Sequence, residues 1–313
     1  MRRTPVTGLA VALVTAAVLA LLPFALSSYH QGLAARVGIY FIAILGLDIL
    51  TGYTGQISIG HGAFMAIGGY TTAIMSADHH TNLILTLPLA FAICFVFGVL
   101  FGFPALRFSG VYLALATFAL AVSVPQLPLK FSKFTGGSNG IRTVDIPTNR
   151  WLYGVTWACA AILFVAAWLL LRGRIGRAFR AVRDSEVAAA SSGVALPIYK
   201  TFAFGVSAAY AGVAGSLFVL ATNGFAQPNE FGVLLSLKIL IGAAVAGLGS
   251  LWGVLAGAVF IGLLPEISSS VPLVGSSHGQ DVVFGLIVIL IMLVLPNGVA
   301  GLLARLSRSR ARA

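Results

Sequence analysis

The chain has 313 residues, of which 59% are hydrophobic and only 9% charged, against roughly 25% charged in an average soluble domain. Such a composition cannot supply a polar surface, so a water-soluble globule is excluded and lipid is the solvent that fits. The net charge of +11 does not point to nucleic acid, because the basic residues cluster between apolar runs: Arg2 and Arg3 open the chain, Arg172, Arg174, Arg177, Arg180 and Arg183 form a central cluster, and Arg305, Arg308, Arg310 and Arg312 lie in the tail.

A helix rising 1.5 Å per residue needs about 20 residues to cross the hydrocarbon core. Six apolar runs of that order precede the central cluster, near 8–28, 35–51, 59–77, 83–104, 110–129 and 151–171. The first follows Arg2 and Arg3 and is longer than the core of a usual signal peptide, so it is read as an uncleaved span. With the start of the chain in the cytoplasm, six crossings return it to that side at Arg172, as the positive-inside rule requires. The segment 130–150 is then placed outside, against the charge of its Lys130, Lys133, Arg142 and Arg150.

Beyond the cluster come a span near 199–221, a longer apolar stretch at 236–264 and a final span near 281–296. Gly247, Gly249, Ser250 and Gly253 interrupt the long stretch, which predicts two shorter helices, either a re-entrant hairpin or two tilted spans. The basic tail 303–313 then stays cytoplasmic. The expected fold is an all-α integral membrane protein: one transmembrane domain over 1–313, a bundle of 8 to 10 helices with broken or re-entrant members, and both termini in the cytoplasm.

Two glycine-rich breaks stand out. The first, from Gly52 to Gly69, holds six glycines among Tyr53, Thr54, Gln56, Ser58 and His61; the second runs from Gly247 to Gly262. Irregular backbone at membrane depth must be buried in protein or line a wet cavity. Paired breaks in two halves of a chain point to a transporter with its pathway between them. Ser58 suits an N-cap for a helix restarting near Ile59, whose free N–H groups would suit a carboxylate. The plainer reading of these glycines is close helix packing, as for Gly98 with Gly102 and Gly253 with Gly257. Asp48, His61, Gln56 and Lys238 are polar groups within spans and candidates for function on that ground; Cys94 and Cys159 lack metal or redox spacing and are read as packing residues.

The segment 173–200 is basic and helix-forming. Within it Glu186, Ala188, Ala189 and, three residues after Ala190, Gly193 describe a short helix ended by glycine, a knob able to seat in a groove of a partner. This stretch resembles the EAA motif of ABC-importer permeases, the loop that docks on the ATPase subunit. The chain as a whole is similar to the M-type permease subunit of branched-chain amino acid importers, through TGYTGQISIGHGAF at 51–64, LRFSGVYLALATFAL at 106–120, FTGGSNGI at 134–141, the Arg-rich loop and GLGSLWGVLAGA at 247–258. Ser191 and Ser192 depart from the pattern, where bulkier residues are expected.

The resemblance implies a bacterial inner-membrane permease that pairs with a paralogous permease as a heterodimer, with two cytoplasmic ATP-binding subunits and an extracytoplasmic solute-binding protein, and needs no cofactor or metal of its own. It assigns Arg180, Arg183, Asp184, Glu186, Ala188, Ala189 and Gly193 to a coupling loop at about 172–198. No Gly-xxxx-Gly-Lys-Ser/Thr loop occurs in the sequence, so ATP is expected to be hydrolysed by a partner. Candidates to line a path are Gln56, Ser58, Gly60, His61, Phe64, Tyr112, Thr117 and Asn139. Urea, a short amide or another amino acid are alternative solutes. An ion-coupled secondary transporter would carry more intramembrane carboxylates than Asp48, and a membrane enzyme would show a clustered nucleophile, acid pair or metal set.

Overall fold

The computed structural model describes residues 27–105, 110–269 and short stretches between 285 and 301. The span expected at 8–28, most of that at 281–296, and the tail 303–313 lie outside the described residues. Nearly everything described is helical, since helices satisfy their own backbone groups where water is absent.

Helix α1 covers Ser28–Leu47 and runs into a π-helical turn, Asp48–Gly52. After an extended stretch, α2 spans His61–His79, followed by α3, Leu83–Ala105, and α4, Val111–Ser123, which short helical turns prolong to Thr135. Helix α5, Asn149–Arg172, leads into two short helices, α6, Arg174–Asp184, and α7, Glu186–Ser191. Then come α8, Leu196–Ala221, α9, Val233–Ala246, and α10, Gly253–Ser269. Among the described residues six helices are long and apolar enough to cross a membrane, α1, α3, α4, α5, α8 and α9 with their flanking turns, and α10 is apolar but shorter; α2, where a span was expected at 59–77, is not one of the six, because its glycines, threonines and terminal His and Asp residues lower its hydropathy. Interrupting glycines do divide the stretch 236–264 into two helices, α9 and α10, which pack on each other.

Helix α8 lies at the centre, against α1, α2 and α3, while α1 also touches α5 and α10. Small residues make this possible: a Cβ on Gly68 of α2 would collide with the Gly212 carbonyl oxygen of α8, and one on Gly215 with that of Met65. Gly98 and Gly102 of α3 face Ala208 and Phe204 of α8, and Gly253 and Gly257 of α10 face the backbone of α9, so the packing reading of these pairs holds.

The bundle has two ends. At one lie Arg172, α6, α7 and the irregular turns around Gly52 and Gly249. At the other, strand β1, Ile141–Arg142, pairs antiparallel with β2, Phe225–Ala226, in the register Ile141 to Ala226. Asn149 Nδ2 donates to the Ser28 carbonyl there (3.0 Å), and the Val144 N–H donates to Ser76 Oγ (3.2 Å). The segment 130–150 is therefore at the end opposite the arginine cluster, in agreement with the crossing count and despite its charge.

Candidate functional site

The first break is built from residues that satisfy an irregular backbone locally. Where α1 loses its regular helix, Thr54 Oγ1 donates to the Leu50 carbonyl (2.5 Å) and Thr51 Oγ1 to that of Gln56 (3.0 Å). Gln56 Nε2 in turn donates to Thr54 Oγ1 (3.1 Å). Gly55 takes φ +73, the left-handed conformation that lets the chain leave the helix. Buried backbone groups need such partners, and short hydroxyl side chains supply them within one turn.

Three other helices send hydroxyls to the start of α2. Thr117 Oγ1 of α4 accepts from the Ile59 N–H (2.9 Å), Ser236 Oγ of α9 accepts from Gly62 (2.8 Å), and Ser207 Oγ of α8 lies 3.0 Å from His61 Nε2. His61 Nδ1 is buried with no hydrogen-bond partner among the described residues. The helix begins at His61 with Gly60 as N-cap, not at Ile59 after Ser58; Ser58 Oγ accepts from the Gly60 N–H instead (3.3 Å). Two of the N–H groups that the sequence offered to a carboxylate, those of Ile59 and Gly62, are thus held by side chains of the protein.

The structure gathers Ser58, Gly60, His61 and Thr117 at this helix start, with Gln56 a turn away. Phe64 follows on α2 but is buried edge-to-face against Phe204, ring centroids 6.0 Å apart. Tyr112 is 70% exposed on the outside of α4, and Asn139 sits in an exposed turn beside β1 at the far end of the bundle. Neither joins the cluster. Ser207 and Ser236 do join it and are not singled out by the sequence, where a serine in an apolar helix has no distinguishing neighbours.

The basic segment 173–200 forms the expected short helices. Helix α6 is amphipathic and buries Gly176, Ala178, Phe179 and Val182. Arg180 Nη1 donates to the Leu171 carbonyl (3.1 Å), and Arg172 stacks 3.8 Å from the ring centroid of Trp168. After Asp184, Ser185 caps α7 by accepting from the Ala188 N–H (3.3 Å), and the helix ends at Gly193, whose φ of +83 lets Val194 N–H reach back to the Ala189 carbonyl (3.0 Å). Ala189 is buried; Glu186, Ala188 and Gly193 are exposed, and Val187 is 79% exposed. Glu186 forms an ion pair of 2.6 Å with Lys200 of α8, which braces α7 against the bundle.

The turns at Gly52 and Gly249 and helix α6 meet at one junction. Arg183 Nη1 donates to the Gly52 carbonyl (2.6 Å), and Asp48 Oδ1 accepts from the Gly249 N–H (2.6 Å). Asp48 and His61 are thus engaged by different elements. A Cβ on Gly52 would collide with Asp48 Oδ1 and the Gly249 nitrogen, so the two breaks touch backbone to backbone. Among the described residues no three His, Cys, Asp or Glu side chains are grouped so as to hold a metal ion.

Comparison with known proteins gives this geometry a family. Residues 29–295 match the family described as branched-chain amino acid transport system / permease component. The high-affinity branched-chain amino acid transport system permease protein LivM of Salmonella typhimurium is 34% identical over 78% of this chain, and that of Escherichia coli 32% identical over 78%; the chain spans 65% of the length of each. LivH of Escherichia coli, a permease protein of the same system, is 25% identical over 84% of this chain and 91% of its own length. No solved structure matches. A multi-pass bundle with broken helices, matched over most of its length by a transport family and not an enzyme family, places the chain among the branched-chain amino acid transport system permease components.

Proposed function

We propose that this chain is a transmembrane permease subunit of an ABC importer for branched-chain amino acids, in a bacterial inner membrane, with both termini cytoplasmic. The whole described chain acts as one transmembrane domain. It pairs with a paralogous permease, two ATP-binding subunits supply the energy at the end that carries α6 and α7, and an extracytoplasmic binding protein delivers the solute to the other end. The names of the LivM and LivH relatives support this solute class.

The observation that carries the proposal is the exposed, capped helix α7, braced by Glu186 and Lys200 at the end of the bundle where the turns around Gly52 and Gly249 lie. Its size and cap suit a groove on a partner, and its exposed Val187 gives that contact an apolar centre. ATP binding can shift the permease between states only through contacts that differ between them, and α7 offers such a contact. The helix start around Ser58, Gly60, His61 and Thr117, where α2, α4, α8 and α9 converge, is the proposed pathway element, with Gln56 beside it.

Uptake of labelled leucine into vesicles that contain the complete importer tests this proposal, with urea run in parallel. Uptake that requires ATP and both ATPase subunits is the expected result. Urea uptake under the same conditions changes the solute and keeps the class; leucine uptake driven by an ion gradient without the ATPases contradicts the importer.

A further inference from the structure

The Arg183 to Gly52 bond joins residues 131 apart in sequence, and the Asp48 to Gly249 bond joins residues 201 apart. Both are hydrogen bonds with a charged partner, about twice as strong as neutral ones. The Gly52 carbonyl lies at the C-terminal end of the α1 helix, where carbonyls lack intrahelical donors and the helix dipole favours a cation. Arg183 supplies both the donor and the charge. On the other side, the Asp48 carboxylate takes the N–H of Gly249, in the turn between α9 and α10, and its Oδ2 is buried with no hydrogen-bond partner among the described residues.

Position along the chain gives the junction its meaning. Arg183 stands two residues before Ser185, the cap of α7, so a displacement of α7, which Glu186 passes directly to α8, reaches the end of α1 through this guanidinium. Gly52 and Gly249 have no room for a side chain between them, so a push on one is felt by the other without slack, and the Asp48 to Gly249 bond carries a pull.

We propose that Arg183 and Asp48 are positioning residues for transport, a latch that makes the end of α1 and the α9–α10 turn move with α6 as one body. Movement of α7 thereby reaches both broken helices together. The latch rests on the importer proposed above, since it needs a partner that moves α7.

The test uses the complete importer in vesicles and reads solute imported per ATP hydrolysed, with recovery of the assembled complex measured alongside. Arg183→Ala lowers this ratio about tenfold, the weight of a lost hydrogen bond to a charged group. Arg183→Lys can still donate to the Gly52 carbonyl and returns the ratio to within about threefold of the unaltered chain. Asp48→Asn keeps an oxygen for Gly249 but loses the charge, and lowers the ratio about threefold. A ratio unchanged in Arg183→Ala overturns the latch, as does a parallel fall of uptake, hydrolysis and recovery in both Arg183 variants, which is the signature of a purely structural role. Where Arg183→Ala does not assemble, Asp48→Asn decides, and an unchanged ratio there overturns the latch. An unaltered complex with no ATP-dependent uptake fails before any variant is compared, and that outcome overturns the importer and the latch together.

Discussion

Helices α5 and α8 are close in length, 24 and 26 residues, yet they occupy opposite kinds of place. The apolar stretch of α8 is buried throughout, whereas only 28% of that of α5 is, although the most apolar stretch of α5 is more hydrophobic than that of α8. Lipid tails are as apolar as leucine, so large aliphatic side chains such as Ile162, Val165 and Leu169 on α5 lose nothing by facing outward. What selects the centre is the ability to approach closely, and α8 has it through Gly205, Gly212, Gly215 and its alanines and serines. In this chain hydropathy marks what can cross a membrane, and side-chain size marks what lies inside.

The sharpest way to break this comparison is Gly68→Leu. Its side chain would have to enter the Gly212 backbone, forcing α2 and α8 apart at a cost of about 3 kcal/mol or more. The protein is expected to disappear from the membrane fraction, as measured by immunoblot, while Ile162→Leu on α5 leaves its level unchanged. Next in size is Glu186→Lys, which sets two cations together at the foot of α8 while the chain stays in the membrane; uptake is expected to fall about tenfold. The double exchange with Lys200→Glu remakes the internal pair but leaves a cation in place of the half-exposed Glu186 on the proposed docking helix, so uptake stays low. Recovery of uptake in the double variant would assign Glu186 to bracing alone.

Smaller effects sharpen the same contrast. Tyr210 of α8 donates its hydroxyl to the Leu163 carbonyl of α5 (2.8 Å), a bond between the two helices compared. Tyr210→Phe is expected to destabilise by about 1 kcal/mol, seen as a lower thermal midpoint in detergent. Gly154 on α5 has open space around it, so Gly154→Ala should stabilise by about 0.5–1 kcal/mol through helix propensity. The same substitution at Gly212, where a Cβ would meet Cys94, should destabilise.

Helices α1, α3 to α5 and α8 to α10 were legible in the sequence because apolar length and interrupting glycines are local signals, and the break between α9 and α10 is one of them; α2 forms over the expected stretch but is not apolar enough to count as a span. The start of α2 was not, because its N–H groups are capped from afar by Thr117 and Ser236 and not by Ser58 nearby. Phe64 has the chemistry of a path residue, but Phe204 packs against it from 140 positions away. Both halves of the junction were visible as an intramembrane Asp48 and an arginine in a basic loop; no spacing rule joins residues 48, 183 and 249. Likewise Glu186 reads as an outward-facing acid until the turn at Gly193 brings Lys200 back beside it.

That energy enters through α7 can be tested by a photo-crosslinker placed at Val187, 79% exposed on α7, with Ile162, 68% exposed on α5, as the comparison site. Capture of the ATP-binding subunit from Val187 and not from Ile162, with a yield that changes when ATP is added, is the predicted result. Equal capture from both sites, or none from Val187 in a complex that imports leucine, would contradict it.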